Sequence, residues 1–82
     1  MRFRMTRHAE DAIAERKIGR SWIRRVLRAP ERKESPGDGT THCLARIRER
    51  GNRVLRVIVH LKAKPPCVVT AFFDRRMRGK LP

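Results

Sequence analysis

The run Arg50-Gly51-Asn52-Arg53-Val54-Leu55-Arg56-Val57-Ile58-Val59-His60-Leu61 decides the fold. Val54 to Leu61 is the most β-prone segment of the chain and is apolar on both faces, as a central strand is. Gly51-Asn52 just ahead of it reads as a two-residue hairpin turn of type II′. Thr41 to Glu49 repeats with period two and reads as the partner strand. Lys62-Ala63-Lys64-Pro65-Pro66 is a loop, and Cys67 to Phe73 is a further strand. Upstream, Ser35-Pro36-Gly37-Asp38-Gly39 is a loop signature. Short strands fit at Arg2–Met5 and near Arg32–Ser35.

A two-residue turn would set Glu49 opposite Val54, Ile47 opposite Arg56, Ala45 opposite Ile58 and Cys43 opposite His60, all on one face. The other face would carry His42, Leu44, Arg46, Arg48, Leu55, Val57, Val59 and Leu61. It is richer in large aliphatic residues, so it is the face expected to lie under helices. Arg46 and Arg48 would then pair with Asp11 or Glu15, and Arg56 and His60 would stand on the open face.

Those helices come first in the chain. Thr6 is a fitting N-cap, and Arg7 to Lys17 holds no Gly or Pro. Ala9, Ala12 and Ile13 form a narrow apolar stripe. Gly19 serves either as C′ of this helix or as N-cap of the next. The second role puts Ile18 and Ile23 at hydrophobic-staple spacing. Arg20 to Arg28 presents Trp22, Ile23, Val26 and Leu27 on one face, and Ala29-Pro30 ends it. The order predicts one α+β domain over residues 1–82. Two N-terminal helices pack on one face of a three- to four-stranded antiparallel sheet, with a frayed basic tail over residues 75–82.

Charge dominates the composition. The chain of 82 residues carries 22 Lys+Arg against 8 Asp+Glu, a net +14. Arginines outnumber lysines by 17 to 5, and planar guanidinium forks match phosphate and stack on bases, so the bias points to a polyanion. The excess lies in residues 1–30 (nine positive, three negative) and 43–82 (eleven positive, two negative), while residues 31–42 hold two and three.

Other classes drop out. No apolar run reaches the ~20 residues of a membrane span. Met1-Arg2-Phe3-Arg4 opens no apolar leader, so a cytoplasmic protein is expected. Cys43 and Cys67 have neither the number nor the spacing of zinc ligands and read as reduced thiols. There is no phosphate-binding glycine loop, no nucleophile elbow, no acidic cluster for Mg²⁺ and no Tyr. No cofactor or metal is expected.

Candidate functional residues follow from the polyanion reading. His8, Ala12 and Arg16 lie at i, i+4 and i+8 and share one helix stripe. Cleavage of RNA by its own 2′-OH needs a base, an acid and cations against the phosphorane. His8, Arg16, Arg56 and His60 could supply these without metal. Arg7, Arg20, Arg24, Arg75, Arg76 and Arg78 are candidate phosphate contacts. Trp22 reads as core, and Phe72 and Phe73 point to opposite faces.

Thr6-Arg7-His8-Ala9, Glu15-Arg16-Lys17-Ile18, Ile23, Val26-Leu27, Pro30 and Val68-Val69-Thr70 together resemble a small bacterial domain-of-unknown-function family. That family is similar to the RelE/ParE superfamily of toxins. Gly19 stands where such sequences usually carry Ser. The resemblance implies two helices on an antiparallel sheet, with His8, Arg16 and Thr70 as the polar signature. Thr70 would be a supporting hydrogen-bonding group. It further implies a toxin–antitoxin role: messenger-RNA cleavage in the RelE manner, or inhibition of a protein target in the ParE manner, with an acidic antitoxin as partner. The competing expectation is a non-catalytic basic module that holds nucleic acid or an acidic protein.

Overall fold

In the computed structural model, which describes residues 2–81, the chain runs β1 (Arg4–Met5), α1 (Arg7–Arg16), α2 (Arg20–Arg28), β2 (Arg32–Glu34), β3 (Thr41–Ile47), β4 (Arg53–His60) and β5 (Cys67–Phe73). Short 3₁₀ turns cover Arg48–Arg50 and Arg75–Met77. The α+β architecture is as expected, but the sheet has five strands in the order β1-β5-β4-β3-β2. It is mixed, because β1 pairs with β5 in parallel. Met1 and Pro82, at the ends of the leader and tail readings, lie outside the described residues.

Thr6 organises the start of the fold. Its hydroxyl accepts from the Ala9 backbone N–H at 3.0 Å and donates to the Val69 carbonyl at 3.1 Å. One side chain therefore caps α1 and ties it to β5. Val69 is the extra residue of a β-bulge, lying between Val68 opposite Val59 and Thr70 opposite Ile58. The bulge shifts the strand's phase, so Val68 and Ala71 both face the core. At the other end of α1, Lys17 takes the left-handed conformation (φ 56°), and the Ile18 N–H reaches the Ile13 carbonyl at 2.9 Å. This is a Schellman closure on Lys17, which overturns Gly19 as C′. Gly19 is the N-cap of α2 and has no side chain to offer.

Both helices cover one face of the sheet. Ala9, Ile13, Ile23, Val26 and Leu27 pack on Cys43, Ala45 and Ile47 of β3, Leu55, Val57 and Val59 of β4, and Val68 and Ala71 of β5. The expected face was right for β4 and wrong for β3. The cause is register: Ile47 pairs with Arg53, Ala45 with Leu55 and Cys43 with Val57. The connection has five residues rather than two. A 3₁₀ turn precedes Gly51 (φ 66°) and Asn52 (φ 61°), both left-handed. Glu49 leaves the strand to take a bidentate pair from Arg25 at 3.0 and 2.9 Å, which holds its carboxyl down to about 2. Arg46 consequently points away from the helices and pairs with Glu31 at 2.6 Å, rather than with Asp11 or Glu15.

The opposite face is also partly covered. Leu44 and Val54 form a second apolar cluster with Met77 and Leu81 from the segment after β5, which is docked and not frayed. Cys43 and Cys67 are free thiols, and burial pushes the Cys43 thiol up.

Replacing Thr6 with Val removes both the cap acceptor and the link to Val69. Denaturant unfolding of Thr6→Val is expected to show a loss of about 1–2 kcal/mol. Gly19→Ser, whose Cβ meets only ordinary contacts, is expected to gain about 0.5 kcal/mol in the same assay.

Candidate anion-binding cleft

The clearest concentration of chemistry lies where the Arg48–Arg50 turn, the start of β4 and the end of β5 meet. Arg50, Gly51, Arg53, Arg75 and Arg78 line a cleft of about 590 Å³. An adjoining hollow of about 310 Å³ shares Arg50, Arg53 and Arg75 and adds Arg16, Phe72 and Phe73. Five arginines thus surround one recess, and among the described residues no carboxylate lines it.

Each arginine arrives for a local reason. Arg16 ends α1, and its Nη1 donates to the Ala71 carbonyl at 2.9 Å. Arg50 closes the 3₁₀ turn and donates to the Lys17 carbonyl at 3.3 Å. Its guanidinium also lies 5.6 Å from the Trp22 ring centre and 5.0 Å from that of Phe73. Arg53 lies 4.7 Å from the Phe73 centre. Trp22 and Phe73 meet edge to face at 6.3 Å, so the platform beneath these cations is itself fixed. Arg75 and Arg78 stand three residues apart across a 3₁₀ turn, where i and i+3 eclipse. None of the five forms an ion pair among the described residues, whereas Glu31, Glu34, Glu49 and Asp74 are all paired elsewhere.

The four catalytic candidates from the sequence do not converge. Arg16 is at the cleft. His8 is exposed on α1, in the helical layer. Arg56 is on the opposite side of the sheet and only 7% exposed. Its Nε donates to Asp74 at 2.8 Å, and its Nη1 donates to Glu34 at 2.8 Å and to His42 Nδ1 at 2.9 Å. A guanidinium has no acceptor, so His42 accepts here. His60 sits at the far end of β4 from Arg53, against the Gly39 carbonyl at 3.2 Å. The expected hollow shared by His8 and Arg56 is therefore absent, because the sheet lies between them. Arg56 is a structural ion-pair centre instead.

The phosphate-contact candidates divide as well. Arg75 and Arg78 line the cleft. Arg76 reaches back to Asp74 at 3.3 Å. Arg20 and Arg24 each stack 5.5 Å over Phe3. Arg7 is exposed at the start of α1, and Thr70 lies mid-strand opposite Ile58. Sequence reasoning missed Arg50, Arg53 and the Phe72–Phe73 pair. Their signal was the arginines flanking Gly51-Asn52, since residues on both sides of a hairpin turn end up adjacent.

Among the described residues there is no His/Cys/Asp/Glu group able to hold a metal ion, and no helix long and apolar enough to cross a membrane.

The Arg56 centre has a pH signature. The hydrogen bond from Arg56 holds the Glu34 carboxyl below its ordinary value. Burial pushes Asp74 up, but the hydrogen bonds from Arg76 and Arg56 overcome this and leave it lowered. A carboxyl lowered in the folded state stabilises the fold above its unfolded value and loses that stabilisation as pH falls through the folded one. Wild-type stability is therefore expected to decline below about pH 4, and Asp74→Asn to flatten that decline. Arg56→Leu leaves Asp74 buried with only Arg76 and is expected to cost about 2–4 kcal/mol at neutral pH by denaturant titration.

Compared with known proteins, residues 5–73 match the model of one family, described as "Domain of unknown function (DUF4258)". No curated protein and no solved structure matches the chain.

Proposed function

The chain belongs to the family of domain of unknown function DUF4258, and from the cleft of this member we propose that it binds single-stranded RNA. The observation that carries the reading is the gathering of Arg16, Arg50, Arg53, Arg75 and Arg78 with no carboxylate among the described lining residues, beside the half-buried Phe72 that lines the smaller hollow. Guanidinium forks take phosphate oxygens two at a time. A ring among them gives an unpaired base something to stack on. A duplex keeps its bases stacked on one another and offers none to such a recess. The reading implies a cytoplasmic protein.

This is a binding module, not an assembled nuclease. Of the four candidates for metal-free cleavage, only Arg16 borders the recess, and no histidine does. RNA incubated with the protein in EDTA is expected to stay intact. Cleavage abolished by His8→Ala would restore the ribonuclease reading and the toxin role that goes with it.

Binding is tested by fluorescence anisotropy with a short labelled single-stranded RNA over a range of salt concentrations. Each phosphate neutralised on a single strand contributes about −0.7 to the slope of log affinity against log salt. Arg50→Ala combined with Arg53→Ala is expected to weaken binding about tenfold or more and to reduce the slope by about 1.4. Lys62→Ala with Lys64→Ala, in the loop at the other end of β4, is expected to leave both nearly unchanged. Equal losses from the two pairs would mean diffuse charge attraction and would sink the cleft. No RNA binding, with capture of an acidic protein instead, would favour a protein partner such as an antitoxin.

A further inference from the structure

The cleft arginines come from three sources. Arg16 ends α1, Arg50 and Arg53 belong to the hairpin, and Arg75 and Arg78 belong to the segment after β5. That segment, Arg75-Arg76-Met77-Arg78-Gly79-Lys80-Leu81, has too few apolar residues to fold by itself. Three contacts hold it in place. Asp74 accepts from the Arg76 backbone N–H at 3.0 Å and so caps the 3₁₀ turn. Asp74 is in turn fixed by Arg56 at 2.8 Å. Met77 and Leu81, 9% and 8% exposed, are buried against Leu44 and Val54 on the sheet face away from the helices. Gly79 (φ 73°) turns the chain, which returns Leu81 to the sheet.

These contacts have a directional consequence. With Met77 turned inward, the eclipsed pair Arg75 and Arg78 must point outward together, and they do so into the cleft. Resting on the RNA-binding reading, we infer that Met77 and Leu81 are positioning residues of the RNA site. They touch no RNA themselves, and they hold two of its five arginines in register with the other three. Undocked, the segment would carry the same charges on a mobile chain, and ordering it would oppose binding.

The test uses the full chain. Leu81→Ser and Met77→Ser are compared with wild type and with Arg75→Ala/Arg78→Ala. Two readouts are taken: hydrogen exchange at the Met77, Arg78 and Lys80 amides, which bond to Asp74, Arg75 and Met77 carbonyls at 3.2, 3.2 and 3.0 Å, and anisotropy with a labelled oligouridylate across salt. Leu81→Ser is expected to lose protection at these amides while the central strands keep theirs. Its affinity is expected to fall about tenfold and its salt slope by about 1.4, as in the double arginine variant. Adding Arg75→Ala/Arg78→Ala to Leu81→Ser is expected to cause little further loss.

Lost amide protection with wild-type affinity and slope would overturn the proposal. So would full protection in both serine variants. Should Met77→Ser unfold the domain, Leu81→Ala carries the comparison. If wild-type protein binds no RNA, the underlying reading fails and this role with it, while the amide data alone still report whether Leu81 holds the segment.

Discussion

A guanidinium in the middle of a sheet constrains everything around it. Arg56 cannot shed its proton at any pH the protein survives, so its burial must be matched by acceptors. Three elements supply them: Glu34 on the edge strand β2, His42 on β3 and Asp74 just beyond β5. Satisfying one side chain thus orients the short edge strand and fixes where the chain goes after the last strand. The Asp74 N–H bonds the Val54 carbonyl at 2.9 Å, which ties that exit to β4 as well. Among the described residues the apolar cluster on this face has only Leu44, Val54, Met77 and Leu81, so the polar network contributes much to closing it.

The helices, the central strand and the order of elements were legible because they depend on local spacing. Val54 to Leu61 has the composition of a doubly covered strand, and the face expected under the helices at β4 carries Leu55, Val57 and Val59 in fact. The register of β3 was not legible. Gly51-Asn52 suggests a tight hairpin, but the observed turn is longer, and Glu49 within it pairs with Arg25, 24 residues away in sequence. Edge strand β1 was sensed but not its parallel partner, since nothing within Arg4-Met5 points to Cys67-Val68. The site divided in the same manner. Arginine bias named a polyanion, while which arginines meet depends on register and on the docking of Met77 and Leu81.

The charge pattern gains meaning from where the acids go. Glu31, Glu34, Glu49 and Asp74 each hold at least one arginine: Arg46, Arg32 and Arg56, Arg25, and Arg56 and Arg76. Structural arginines are neutralised in place. The positive excess is left on those that no acid claims, and two of these, Arg50 and Arg53, lie above the Trp22–Phe73 pair. Arg16, Arg50, Arg53, Arg75 and Arg78 bring five of these positive charges to one recess, where their fields add.

The Thr6 hydroxyl and the Val69 carbonyl are 63 positions apart along the chain. The parallel ladder of β1 joins residues just as distant. Such closures have high contact order and cost more chain entropy to form than the local hairpins do. During synthesis, β1 must wait, unpaired, until β5 has been made. Until the two meet, β5 offers its open backbone edge to any passing strand.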